Sequence, residues 1–283
     1  MTIRRIAVVG AGTMGHGIAH ASAAAGYGTV MFDVSPAALE KGRRAVEEVV
    51  RSGVERGKVA AADAELTLGR LQATSDLARA VANADFIIEA APERIDTKIA
   101  LFADIERLAP ASAVVASNTS ALSLTEMAAT LRDSSRVAGM HFFNPVHKMK
   151  LIEVVQALET SPATLAAVHE VAARMGKETV LVRESPGFIT TRVNASIGNE
   201  AFYMLMEGVA SARDIDKALK LGLNHPMGPF EMVDLVGLDT RLSILEYLHR
   251  ALGEKYRPCP LLVQYVKAGR LGRKVGRGVY DYE

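Results

Sequence analysis

What most constrains the fold of this chain is an alternation. Apolar runs of strand length recur through the first 183 residues, at 6–9, 29–33, 85–89, 113–117, 137–141, 150–155 and 178–182, with segments of helical spacing between them. Such runs suit strands buried on both faces, which need helices above and below. The pattern predicts an α/β fold with a Rossmann-like, doubly wound and mostly parallel sheet. Between the second and third runs, residues 36–84 are charged, and Leu39, Ala45, Val46, Val49 and Val50 follow a helical period. This stretch predicts an exposed helical hairpin in addition to a plain crossover. Arg51, Arg56 and Lys58 put positive charge there, suited to a solvated helix face or to a ligand phosphate. From Ser185-Pro186-Gly187 onward, strand runs give way to helical segments punctuated by Gly and Pro, at 188–207, 211–220, 229–236, 240–252 and 260–268. The expected division is a sheet domain at 1–184 and a small all-helical C-terminal domain at 185–283.

Composition narrows the partners. Hydrophobic residues make up 49% and charged residues 23% of the chain, enough apolar material to bury a core. Lys and Arg number 33 against 32 Asp and Glu, so no overall field draws the chain to nucleic acid or to an anionic membrane. No apolar run approaches the roughly 18 residues of a membrane span, and no export signal is read at the N-terminus. The single cysteine, Cys259, excludes an internal disulfide framework and a four-thiolate zinc site, and suits a reducing cytoplasm.

Gly10-Ala11-Gly12-Thr13-Met14-Gly15 follows the first apolar run directly and opens a helix of mostly small residues. In that context Gly10 permits a tight turn, Gly12 admits a pyrophosphate to the backbone, and Gly15 lets the helix pack on its strand. Thr13 and Met14 then lie at the helix N-terminus, where free N–H groups face an anion. Asp33 stands 23 residues after Gly10, where a carboxylate accepts the adenine ribose hydroxyls and repels a 2′-phosphate, so NAD is expected rather than NADP. His16 and His20 have a zinc-like spacing, but no Cys, Asp or Glu nearby completes a ligand set, and no metal is expected.

Oxidising a hydroxyl group with this cofactor requires a base near neutral pH. His141 ends the 137–141 run, on the sheet edge where doubly wound folds bind ligands. Glu153 lies inside the apolar segment 151–155, where a carboxylate is costly unless it is paired. If the connection 144–149 folds the second strand beside the first, Glu153 meets His141 and orients its ring.

Several segments carry a family resemblance together: the glycine loop, Glu89-Ala90-Ala91-Pro92-Glu93, Ser117-Asn118-Thr119-Ser120, His141-Phe142-Phe143-Asn144-Pro145, Pro226-Met227-Gly228-Pro229-Phe230-Glu231 and the closing residues 272–280. In this order they closely resemble the (S)-3-hydroxyacyl-CoA dehydrogenases, in particular the bacterial 3-hydroxybutyryl-CoA group, over essentially the whole chain. The resemblance implies oxidation of a short (S)-3-hydroxyacyl-CoA to the 3-oxoacyl-CoA, and the reverse, with His141 as general base and Glu153 as its partner. It implies that Ser120 bonds the reacting oxygen, though Ser120 also suits a helix N-cap. Glu93 and Lys98 match positions near the nicotinamide ribose, Asn144 one near the nicotinamide, and Lys274 one in the closing motif. A homodimer through the helical domain is also implied. One position departs from the family, because Thr191 stands where an asparagine usually holds the thioester carbonyl and hydroxyl. Either Thr191 makes a shorter contact or Asn194, on the same helix face, replaces it; with Arg51 and Lys58 these complete the expected substrate contacts. A hydroxyacid dehydrogenase acting without CoA, of the gulonate type, and a non-catalytic NAD-binding protein remain alternatives at this point.

Overall fold

The computed structural model describes residues 2–282, and the chain divides into two compact units, Met1–Ser185 and Pro186–Glu283. The first unit opens with β1 (Arg5–Val9), α1 (Gly15–Ala24), β2 (Gly28–Phe32), α2 (Pro36–Glu55), α3 (Ala61–Gly69), β3 (Leu71–Thr74) and α4 (Leu77–Val81). It continues through β4 (Phe86–Glu89), α5 (Ile95–Leu108), β5 (Val114–Ser117), α6 (Leu124–Ala128), β6 (Val137–Phe142), β7 (Leu151–Gln156), α7 (Pro162–Arg174) and β8 (Glu178–Arg183). The strands form one sheet in the order β3-β2-β1-β4-β5-β6-β7-β8. Chain order reverses between β1 and β4, the switch point at which such sheets open a ligand crevice.

Helix cover explains why the central strands tolerate no polar face. Val8, Ile88, Ala116 and Ala138 share a buried layer with Ile18 and Ala19 of α1 and Val168 and Val171 of α7. One strand pairing breaks the parallel rule. Residues 143–150 are too few for the crossover a parallel neighbour needs, so β7 runs antiparallel to β6, with Gly139 opposite Val155 and His141 opposite Glu153. The charged stretch 36–84 holds the helices α2 and α3, but it also holds β3, an edge strand absent from the sequence expectation. Asp33 lies just past the end of β2 rather than in it.

The flank of α1 carries a histidine cluster. The His20 and His147 rings meet edge to face with centroids 6.4 Å apart, and Lys177 nearby donates to the carbonyls of Val146 and Met149. Burial first, then His147, Lys177 and His16, hold the His20 imidazole down at about 4. Between pH 4 and 6.5 the unfolded chain therefore binds a proton that the folded chain refuses, and stability falls as the pH is lowered through this window, by about 3 kcal/mol in full. His20→Gln is expected to flatten the dependence of Tm on pH between 4 and 6.5, and an unaltered slope would contradict this origin.

The second unit contains α8 (Thr190–Met206), α9 (Ala212–Gly222), α10 (Pro229–Val236), α11 (Leu238–Leu252) and α12 (Pro260–Lys267). Phe202, Phe230, Leu238, Leu245 and Leu248 lie in its core. Two buried carboxylates organise it. Asp234 accepts from the Val279 and Tyr280 amides and the Tyr282 hydroxyl, and Asp216 from the Phe230 and Glu231 amides and the Tyr280 hydroxyl. The closing segment is thereby fastened to the helices, and a Cβ at Gly278 would meet Asp234 Oδ1 at 2.0 Å. Among the described residues, no helix is long and apolar enough to cross a membrane.

Candidate active site

The loop after β1 has the geometry of a dinucleotide cradle. Gly10 adopts φ 113°, and a Cβ there would meet the Ala90 carbonyl oxygen at 2.5 Å. A Cβ at Gly15 would meet the Gly10 oxygen at 1.8 Å, whereas one at Gly12 would meet nothing within 4 Å. The first and third glycines are therefore needed for packing, and the second leaves the backbone open to a ligand. No side chain caps α1 and no acid stands in its first turn, so the amides at its N-terminus are left for an anion. The Asp33 carboxylate accepts from the Ala11 amide at 2.9 Å and from the Ser35 amide at 2.9 Å. It steadies the loop while remaining partly exposed at the end of β2.

On the next strand along, a buried ionic network joins two loops of the same sheet edge. Glu89, 0% exposed at the end of β4, accepts from Lys98 Nζ at 2.6 Å, the Ala91 amide at 2.6 Å and Ser117 Oγ at 2.5 Å. Lys98, 1% exposed, also donates to the Ala91 carbonyl at 3.2 Å and pairs with Glu93 at 3.3 Å. Glu93 is exposed and accepts from Thr119 Oγ1 at 2.6 Å and the Ser120 amide at 2.7 Å. Removing one member of so buried a pair strands a charge, which costs about 3–5 kcal/mol. Lys98→Met is expected to lose stability on this scale, and Glu89→Gln with Lys98→Met to recover most of it; equal losses in the two proteins on urea unfolding would refute the coupling.

The register of β6 and β7 places His141, 5% exposed, opposite Glu153, 0% exposed, with Nδ1 2.7 Å from Oε2. A buried carboxylate at that distance takes the Nδ1 proton as its hydrogen bond, which leaves Nε2 as the basic nitrogen. Pairing of β5 with β6 stops at Ser117 and Gly139. Beyond it Asn118 Oδ1 accepts from the Phe142 amide at 2.8 Å, extending the ladder past His141. The Phe143 ring covers the imidazole at 4.6 Å between centroids.

Residues 5–185 match the family model of the 3-hydroxyacyl-CoA dehydrogenase NAD-binding domain, and residues 187–282 that of the C-terminal domain. The chain belongs to the 3-hydroxyacyl-CoA dehydrogenase family. It is 47% identical to a probable 3-hydroxybutyryl-CoA dehydrogenase of Bacillus subtilis, covering 100% of this chain and 99% of that one. A 3-hydroxybutyryl-CoA dehydrogenase of Bradyrhizobium diazoefficiens is 42% identical, covering 99% and 96%. The crystal structure of (S)-3-hydroxybutyryl-CoA dehydrogenase from Ralstonia eutropha superposes with a TM-score of 0.95 at 42% identity, covering both chains fully. This chain is thus an NAD-dependent dehydrogenase, and the glycine loop belongs to its NAD-binding domain.

The remaining expected residues of the dehydrogenase fall into separate places. Ser120 does not cap α6; Ser123 does, accepting from the Glu126 amide at 3.2 Å, while Thr119 takes the Leu122 amide at 3.0 Å. Lys98, expected beside the nicotinamide ribose, has its three donors directed at Glu89, Glu93 and Ala91, so it braces Glu93. Asn144 is exposed and joined to Pro145 by a cis bond. Arg51 is exposed on α2 and ion-paired with Glu48, and Lys58 is exposed in the turn after α2. In the second unit Thr191 and Asn194 lie partly buried on α8, and Lys274 pairs with Asp239 at 2.6 Å. Sequence reasoning assigned no role to Glu89 or Asn118. For Glu89 the signal was present, since a carboxylate closing an apolar strand raises the same question as Glu153.

Proposed function

We propose that this dehydrogenase oxidises a short-chain (S)-3-hydroxyacyl-CoA, of the 3-hydroxybutyryl-CoA size, to the 3-oxoacyl-CoA, and catalyses the reverse reduction. The contact of His141 with Glu153 carries this reading. Bound NAD supplies the hydride acceptor, and the residues that would hold it are Gly10, Gly12, Thr13, Met14, Gly15, Asp33 and Glu93. His141 Nε2 takes the proton of the C3 hydroxyl, and Glu153 stabilises the imidazolium as it forms. In the reverse direction the same nitrogen returns the proton. Ser120, whose amide is fixed by Glu93, offers its hydroxyl to the reacting oxygen. Thr191, with Asn194 one turn on, takes the part of the family asparagine toward the thioester, and Arg51 and Lys58 supply charge for the CoA phosphates. Asn144 and Lys274 complete the cofactor contacts.

The protein acts as a homodimer, a reading supported by exposed apolar residues of the helical unit such as Val209, Leu221 and Leu223. A cytoplasmic setting agrees with the lone thiol of Cys259, which is buried and pushed up by that burial. The test compares (S)-3-hydroxybutyryl-CoA with free 3-hydroxybutyrate and gulonate, each with NAD and NADP. Turnover confined to the thioester with NAD is expected, and turnover of the free acids in its place would move the enzyme to the gulonate type.

A further inference from the structure

Ser120 stands in a segment that no regular structure holds. Between β5, which ends at Ser117, and α6, which begins at Leu124, residues 118–123 make neither helix nor strand. A side chain on such a segment is only as well placed as the contacts that pin the backbone on either side of it. On the β5 side Glu93 does this, accepting from Thr119 Oγ1 at 2.6 Å and from the Ser120 amide at 2.7 Å.

On the α6 side a second carboxylate takes the same part. Glu184, partly buried just past β8, accepts from Ser123 Oγ at 2.6 Å, from the Thr125 amide at 3.0 and 3.3 Å, and from the Thr125 hydroxyl. The two residues are 59 apart in sequence, so this is a tertiary tie rather than a local cap. The cap is Ser123, whose oxygen takes the Glu126 amide at 3.2 Å while its proton goes to Glu184. Helix α7 is capped by Ser161 with its hydroxyl turned to Thr164 of its own first turn, so capping does not call for a distant carboxylate. Both ends of the tie are fixed. The Glu184 amide donates to the Gln156 carbonyl at 2.9 Å, and Thr125 Oγ1 accepts from the Leu158 amide at 3.1 Å. Every partner of the carboxylate here is a donor, which suits a group that only accepts; a glutamine would set its NH₂ against one of them.

We propose that Glu184 is a positioning residue for the reaction: with Glu93 it braces the Ser120 segment from both sides, so that the Ser120 hydroxyl is held at hydrogen-bond distance from the reacting oxygen. This inference rests on the proposed function, in which Ser120 bonds that oxygen; Glu184 itself touches no reacting atom. Ser123 lies three residues beyond Ser120, at most about 10 Å of chain, so slack at one is felt at the other. A misplacement of about 1 Å at a reacting group costs roughly 10²-fold in rate. Glu184 makes no contact with the glycine loop or Asp33, so the loss falls on kcat and leaves NADH binding in place.

The experiment is a double-mutant cycle with Ser120, read in kcat for acetoacetyl-CoA reduction, with NADH titration and Tm alongside. Ser120→Ala is expected to lower kcat about 10²-fold. Glu184→Ala is expected to lower it about tenfold, and Glu184→Gln by less, with KM and NADH binding within about twofold of wild type. In the Ser120→Ala background Glu184→Ala is expected to change nothing further, because the hydroxyl it positions is gone. Losses that multiply in the double variant, or a Glu184→Ala enzyme with wild-type kcat, would overturn the brace. Tm, NADH binding and turnover falling together in both Glu184 variants would also overturn it, and make the carboxylate a folding element. A wild type with no thioester turnover would instead overturn the proposed function.

Discussion

Replacing His141 with glutamine is expected to lower kcat by about three orders of magnitude with NAD binding unchanged. The magnitude follows from losing a positioned proton acceptor, which contributes roughly 10²- to 10⁴-fold. The amide of glutamine fills the space of the ring but does not accept a proton at neutral pH. Cofactor binding is expected to survive, because the Gly10 to Gly15 loop and Asp33 stand on β1 and β2, away from the β6 end that carries His141. Steady-state kinetics with fluorescence titration of NADH separates the two effects. A variant that turns over at near-normal rate removes His141 from the chemistry, whereas joint loss of turnover and NADH binding points to misfolding.

Glu153→Gln is expected to lower kcat by about 10²- to 10⁴-fold through a different route. The side chain touches no reacting atom in this account; it positions and charges the base. Glutamine keeps the size and one oxygen for Nδ1, but its neutral amide does not stabilise an imidazolium and can hold the ring in the wrong tautomer. Burying an amide costs less than burying a carboxylate, so the variant is expected to remain folded. The split between kcat and KM is the discriminating readout. A positioning and charge-stabilising role lowers kcat and leaves KM for the thioester and NADH binding in place. A purely structural role would lower Tm and impair binding together with turnover, and Glu153→Asp is expected to restore part of the rate only under the first role.

The sheet was legible where burial is complete. The apolar runs that became β1, β4, β5 and β6 are buried along nearly their whole length, and burial on both faces is what makes a run continuous in sequence. Strand β3 was not legible for the opposite reason. Its four residues, Leu71-Gln72-Ala73-Thr74, are partly or fully exposed at the sheet edge, so neither an apolar run nor an alternation marks them. The antiparallel return of β7 was implicit in the short connection after Asn144, which also brought Glu153 to His141. Side-chain networks were harder to see. Lys98 lies nine residues beyond Glu89 on a helix of ordinary amphipathic character, and nothing in that spacing signals a buried cation. The N-cap expectation at Ser120 failed because three serine or threonine residues compete there, and Ser123 is the one with its hydroxyl against the third amide of α6.

The most direct test of the dehydrogenase account is oxidation of NADH by the purified protein with acetoacetyl-CoA, followed by absorbance. Saturable turnover that vanishes in His141→Gln while NADH still binds is the predicted result. NADH binding without thioester-dependent oxidation in the wild type would contradict it.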